Sequence, residues 1–86
     1  MKKDICVDFD GVLNIYTGYD EHNLGEMRDG CREFLEKLSR NYKITILTCR
    51  ETKSVTKWLE VHNLSEFIKQ VTNIKVPQFI ILMTGQ

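Results

Sequence analysis

The 86-residue chain is short of several things at once. It has no net charge: twelve basic residues balance twelve acidic ones. No basic excess points to nucleic acid or to an anionic membrane surface. No apolar run approaches the roughly 20 residues needed to span a bilayer. Met1-Lys2-Lys3 opens like a signal peptide, but Asp4, Asp8 and Asp10 interrupt the apolar region that should follow. The chain is therefore expected to be soluble and cytoplasmic. Only three cysteines occur, Cys6, Cys31 and Cys49, an odd number with no Cys-x-x-Cys spacing. None is followed six residues later by arginine, which excludes the Cys-x5-Arg phosphate loop. All three read as reduced, structural thiols. The two histidines, His22 and His62, read as surface or capping residues rather than catalysts. There is no repeat, no low-complexity stretch and no Pro/Gly/Ser linker, and no acidic residue follows Glu66.

What remains is a folded composition, 42% apolar, in a chain long enough for one small domain spanning residues 1–86. A domain of this size buries roughly 60–65% of its unfolded surface and is marginally stable. The chain is organised around Ile5-Cys6-Val7-Asp8-Phe9-Asp10-Gly11-Val12-Leu13. An apolar run bounded by turn residues reads as a buried strand. Asp8 and Asp10 then fall at its carboxyl end, where open α/β sheets place their ligands. Two carboxylates there are costly unless something compensates, and a metal ion is the usual compensation.

The rest of the chain alternates helix and strand. Residues 12–25 are dense in turn residues and read as irregular structure or a small hairpin. Met27 to Arg40 places Met27, Cys31, Phe34, Leu35 and Leu38 on one helical face, with Asp29 as a plausible N-cap. Lys43 to Leu47 reads as a second strand. Glu51 to His62 reads as a second helix, with Val55, Trp58, Leu59 and His62 on one face and Thr52 or Ser54 as its cap. Trp58 is expected in the core. Leu64 to Asn73 reads as a short helix and strand, and Phe79 to Met83 as a last buried strand.

Asp8-Phe9-Asp10-Gly11-Val12-Leu13 resembles motif I of the haloacid dehalogenase superfamily, an apolar strand followed by Asp-x-Asp-Gly-x-x. Thr48, closing the second strand, fits the Ser/Thr of motif II. Val71-Thr72-Asn73-Ile74-Lys75-Val76-Pro77 resembles the way small members present the motif III lysine, here Lys75. The resemblance spans nearly the whole chain. It implies a small Rossmann-like three-layer α/β sandwich with a mostly parallel sheet and no cap domain. Residues 12–25 would form a flap over an open site, with Tyr16 and Tyr19 either contacting substrate or packing the hairpin.

The resemblance also implies the chemistry, an Mg²⁺-dependent phosphohydrolase acting through an aspartyl-phosphate. Asp8 would be the nucleophile and Asp10 the general acid, then base. Mg²⁺ would be held by the Asp8 carboxylate and the Asp10 backbone carbonyl, with substrate and water. Lys75 and Thr48 would stabilise the transferring oxygens, with Gly11 and Cys49 beside them in the substrate site. Arg50 is either a second contact to an anionic substrate or a solvated arginine. The substrate is phosphorylated but of no class the sequence names.

Motif IV, an apolar strand ending in one or two aspartates, does not follow. The chain has Thr84-Gly85-Gln86 instead. A shifted frame would account for this. Met83 is ATG and Thr84 begins AC, so one alternative frame reads Asp there. With TTG at Leu82, ATA at Ile81, ACA at Thr84 and GGG at Gly85, that frame reads Ile-Asp-Asp-Arg-Ala, a common form of motif IV. The expectation is a frameshift or truncation that removes the C-terminal part of the fold, weakens Mg²⁺ binding and turnover, and favours self-association. Two rivals stand beside the enzyme: a phospho-ligand-binding or regulatory domain without turnover, and a structural α/β domain with an accidental Asp-x-Asp. The last predicts no metal binding.

Overall fold

The computed structural model describes residues 2–16, 18, 20, 23–74 and 80–82. Its centre is β1, Lys3–Asp8, which pairs in parallel with β2, Tyr42–Leu47, from Lys3↔Tyr42 to Asp8↔Leu47. β2 pairs in parallel with β3, Ile68–Thr72. On its other side β1 pairs in parallel with β4, Ile80–Leu82, in the register Ile5↔Ile80 to Val7↔Leu82. The sheet order is β3-β2-β1-β4. Parallel neighbours need crossovers, and two helices supply them: α1, Cys31–Ser39, between β1 and β2, and α2, Thr52–Val61, between β2 and β3. A 3₁₀ turn over Ser65–Phe67 leads into β3, so the short helix and strand expected here are both present.

Side chains of a strand alternate between faces, and the two faces of this sheet differ. Ile5, Val7, Ile44 and Ile46 join one apolar cluster with Cys31 and Leu35 of α1 and Val55, Trp58 and Leu59 of α2. Both helices therefore cover the same face. Trp58 is in the core, as its helical spacing implied, and its ring meets Phe9 edge-on with centroids 5.0 Å apart. The opposite face carries polar groups: Lys69 Nζ donates to Asp4 Oδ1 at 3.1 Å, and Gln70 Nε2 to Thr45 Oγ1 at 3.4 Å.

Several boundaries differ from the sequence reading. α1 begins at Cys31 rather than Met27, and its N-cap is Gly30, at φ 83°, instead of Asp29. Met27 lies instead in an antiparallel bridge with Asn14, closing a hairpin in which Ile15 N donates to Glu26 O at 2.9 Å and Arg28 N to Leu13 O at 2.9 Å. The spacing of Met27 and Cys31 fits a helix, but the cross-hairpin hydrogen bonds claim Met27 first. α2 is capped by Glu51, without a side-chain cap bond, instead of by Thr52 or Ser54. The last strand is described at Ile80–Leu82, within the expected Phe79–Met83 run. Thr17, Tyr19, His22, Lys75, Pro77, Phe79 and residues 83–86 lie outside the described residues.

Candidate active site

The carboxyl ends of β1 and β2 set the site. Asp8 is the last residue of β1, level with Leu47 of β2. The chain then turns sharply: Leu13 N donates to Phe9 O at 3.0 Å, so residues 10–13 form a turn that leads into the hairpin. Gly11 sits in this turn at φ 80°, a backbone region that disfavours any side chain. Thr48, one residue past β2, is buried, and its amide is fixed by Thr72 O at 3.0 Å. Asp8, Asp10 and Thr48 thus meet at one end of the sheet, brought there by parallel pairing.

Asp8 is half-buried, and among the described residues it has no ion-pair partner. Burial raises its carboxyl pKa above the ordinary value of 3.8, and the charge of Asp10 raises it further, against a smaller pull from the Phe9 amide. Asp10 is placed differently. Arg50 Nε lies 3.0 Å from its Oδ1 and 3.3 Å from its Oδ2, and the Arg50 side chain is only 2% exposed. Arg50 Nη1 also donates to the Asp20 carbonyl at 2.6 Å. The Arg50 guanidinium is buried and engaged by the protein itself, so it is not the solvated side chain that the sequence offered as one alternative.

Two residues that the sequence reading did not place in the site complete it. Asn14 is 1% exposed; its Oδ1 accepts from Gly11 N at 2.8 Å, and its Nδ2 donates to Leu24 O at 2.6 Å and Asp10 Oδ1 at 3.3 Å. Arg28 Nη1 donates to the Gly11 carbonyl. The signal for Asn14 was local: an amide four residues beyond an aspartate in a turn is suited to bond back to that turn. Arg28 carried no such signal, since its partner lies across the hairpin.

The Thr48 hydroxyl accepts from Arg50 N at 2.9 Å, and a hydroxyl that accepts keeps its own proton to donate. Cys49 is an exposed free thiol, and Cys6 and Cys31 are buried free thiols. A cleft of about 550 Å³ opens beside Gly11, bounded by Asn14, Ile15, Tyr16, Arg28 and Asp29, with Ile15 and Tyr16 about half exposed.

The donor set at the strand end suits a hard divalent cation. Asp8 carries charge that no described basic group offsets, and a second carboxylate stands close enough to raise its pKa. Mg²⁺ takes one or two protein carboxylates and completes its shell with water and substrate oxygens. Among the described residues no three His, Cys, Asp or Glu side chains gather into a metal-binding group. Among them, too, no helix is long and apolar enough to cross a membrane. No family model, curated protein or solved structure matches the chain.

Proposed function

We propose that the chain is an Mg²⁺-dependent phosphohydrolase of the haloacid dehalogenase type, working in the cytoplasm on a phosphorylated substrate through an aspartyl-phosphate on Asp8. The observation that carries this reading is the half-buried Asp8 carboxylate at the end of the central strand, without an ion-pair partner among the described residues, with Asp10 two residues on and Thr48 on the adjacent strand end. The sheet order supports it as well. Order 3-2-1-4 is that of a doubly wound, Rossmann-like sheet, whose ligands bind where the order reverses; here that is beside β1. A three-layer sandwich is the architecture that goes with this order.

In this reading an Asp8 oxygen attacks phosphorus, and the bond from phosphorus to the leaving oxygen breaks. Asp10 gives that oxygen a proton. Asp10 then takes a proton from water, which attacks the aspartyl-phosphate, frees inorganic phosphate and restores Asp8. Asp8 and the Asp10 main chain are the groups that would hold Mg²⁺, which when bound offsets charge on the transferring phosphoryl group. The Thr48 hydroxyl proton and the Lys75 ammonium serve the equatorial oxygens.

The engagement of Asp10 by Arg50 favours a second reading, a domain that binds phosphorylated ligands without turnover, because the acid is already paired. Phosphate release from a generic phosphate monoester, with and without Mg²⁺, separates the two. Turnover that needs Mg²⁺ and disappears in Asp8→Asn is the expected result. Metal-dependent release that persists near wild-type level in Asp8→Asn removes Asp8 as nucleophile.

A further inference from the structure

The cleft of about 550 Å³ beside Gly11 is lined by one basic side chain, Arg28. Its volume falls in the roughly 300–1,000 Å³ range of small-molecule sites. The main chain of Arg28 is fixed: its amide donates to the Leu13 carbonyl at 2.9 Å, and its carbonyl accepts from Cys31 N at 3.1 Å. Its Nη1 donates to the Gly11 carbonyl, in the turn that carries Asp10. Among the described residues the guanidinium has no other hydrogen-bond partner, and no carboxylate pairs with it. Asp29 also lines the cleft, but it is exposed and forms no ion pair with Arg28. Ile15 and Tyr16 supply an apolar wall, 49% and 50% exposed. Asn14, a further wall residue, lies 3.3 Å through its Nδ2 from Asp10 Oδ1. The cleft and the proposed proton donor are therefore neighbours across one side chain.

We propose that Arg28 is a specificity-determining residue, which selects phosphate monoesters whose alcohol part carries a second oxyanion, a carboxylate or a phosphate, on an apolar or aromatic body. This deepens the phosphohydrolase reading and rests on it. In that reading Asp10 reaches the leaving oxygen, and Asn14 joins Asp10 to the cleft, so the alcohol part extends along the cleft. Ile15 and Tyr16 give its body apolar contact. Arg28, held in place through Gly11, turns its remaining donors to the second anion. A guanidinium presents those donors in one plane, which matches an oxyanion at two points; an ammonium supplies charge without that fork. A half-buried cation with no carboxylate beside it gains from an anionic ligand, because little of its field is already offset. Asp29 opposes the same anion from farther off and limits the preference.

The test compares three esters with nearly the same leaving phenol: 4-(carboxymethyl)phenyl phosphate, 4-(phosphonomethyl)phenyl phosphate and the neutral 4-(carbamoylmethyl)phenyl phosphate. With Mg²⁺, the wild-type chain should favour at least one acid over the amide by roughly tenfold or more in kcat/KM, mostly through KM. Which acid is favoured separates carboxylate from phosphate. In Arg28→Gln, with folding checked by circular dichroism, the acid-to-amide ratio should fall to about one. Loss of the Gly11 contact slows all three esters alike, so the ratio reads recognition and not the support of the turn. Arg28→Lys should lose roughly threefold or more of the preference. Asp29→Asn should raise it by roughly two- to threefold, and added salt should lower it. Equal kcat/KM for acids and amide in the wild-type chain overturns the proposal. So does a preference that survives in folded Arg28→Gln, or one undiminished in Arg28→Lys. If the wild-type chain with Mg²⁺ releases phosphate from none of the esters, the phosphohydrolase reading fails. Calorimetric binding of the same esters without Mg²⁺ then decides the anion site: tighter binding of an acid than of the amide, lost in Arg28→Gln, upholds it, and equal binding overturns it.

Discussion

Trp58 holds up the hairpin from beneath: its indole Nε1 donates to the Gly25 carbonyl at 2.9 Å, joining the middle of α2 to the returning arm of residues 11–25. The ring also packs edge-on against Phe9, next to Asp8. One side chain therefore supports both the turn after β1 and the segment that covers it. Trp58→Phe keeps an aromatic ring in the core and deletes the donor. Loss of one such bond should cost about 0.5–1.5 kcal/mol, plus the packing of the missing ring. Urea unfolding followed by circular dichroism measures the loss, and faster exchange at the Ile15 amide should accompany it. Wild-type stability with unchanged exchange would show that the bond carries no weight.

Gly25 and Gly30 share a φ of 83°, but their surroundings differ. A Cβ at Gly25 would stand 2.8 Å from the Ile15 carbonyl oxygen, whereas one at Gly30 would meet nothing within 4 Å. Gly30→Ala should therefore cost only the backbone strain, roughly 1–2 kcal/mol. Gly25→Ala should cost more than Gly30→Ala, because the contact is with main chain that pairs across the hairpin. Unfolding free energies of the two variants, measured side by side, check this ordering. Equal losses would mean that the hairpin opens at no expense to make room.

Asp8→Asn is expected to stabilise the fold while removing the proposed nucleophile. Burial and the neighbouring Asp10 raise the Asp8 pKa in the folded state, so the folded chain holds this proton more tightly than the unfolded one. The stabilising effect of protonation is fully present below the ordinary value of 3.8 and is lost as pH rises through the raised folded value. At neutral pH the ionised group is a burden on the fold, and an amide relieves it. Melting temperature without metal should be higher in Asp8→Asn at pH 7, and the gap should close as the solution is acidified below the ordinary carboxylate value. A gap independent of pH would assign the effect to packing instead of charge.

Thiol chemistry gives a separate check on the sheet and α1. Cys31 is the first residue of α1, where the helix end ordinarily lowers a thiol pKa. Burial prevails here, with help from Glu33, and pushes it up to about 11. Cys6 is raised by burial and then by the charge of Asp8. Iodoacetamide at pH 8 should modify Cys49 alone in the native chain and all three cysteines in denaturant, as read by mass. Rapid native modification of Cys31 would mean that α1 opens readily. The sign of the Cys31 shift also predicts that folding stability falls between pH 9.0, the ordinary thiol value, and about 11.

Local periodicity carried most of the fold. β1, β2 and both helices follow from apolar spacing, and Leu35, Val55 and Leu59 are in the core where that spacing puts them. It misled at Met27, which is in step with Cys31 along a helix but bonded across a hairpin to Asn14. It was also silent on Arg50. The partner of its Nε stands 40 positions earlier, and no spacing rule reaches that far. The mixed character of β1 was legible in hindsight from Asp4-Ile5-Cys6-Val7-Asp8, an alternation that sends Ile5 and Val7 to the helices and the rest to the opposite face. What the pattern could not say was which charged residue would meet Asp4; the sheet order answered with Lys69.

The position of β1 in the sheet bears on how the chain comes into being. β1 is an inner strand, and both of its neighbours follow it in the chain: β2 at Tyr42–Leu47, and β4 only at Ile80–Leu82. A nascent chain can close β1, α1 and β2 into one unit early, since that loop is short. The flank of β1 that awaits Ile80 keeps its main-chain donors and acceptors open until that later strand is made. Through that interval the edge beside Asp8 is available to any extended strand it encounters, so nascent-chain partners rather than finished-protein partners are the ones that test this sheet first.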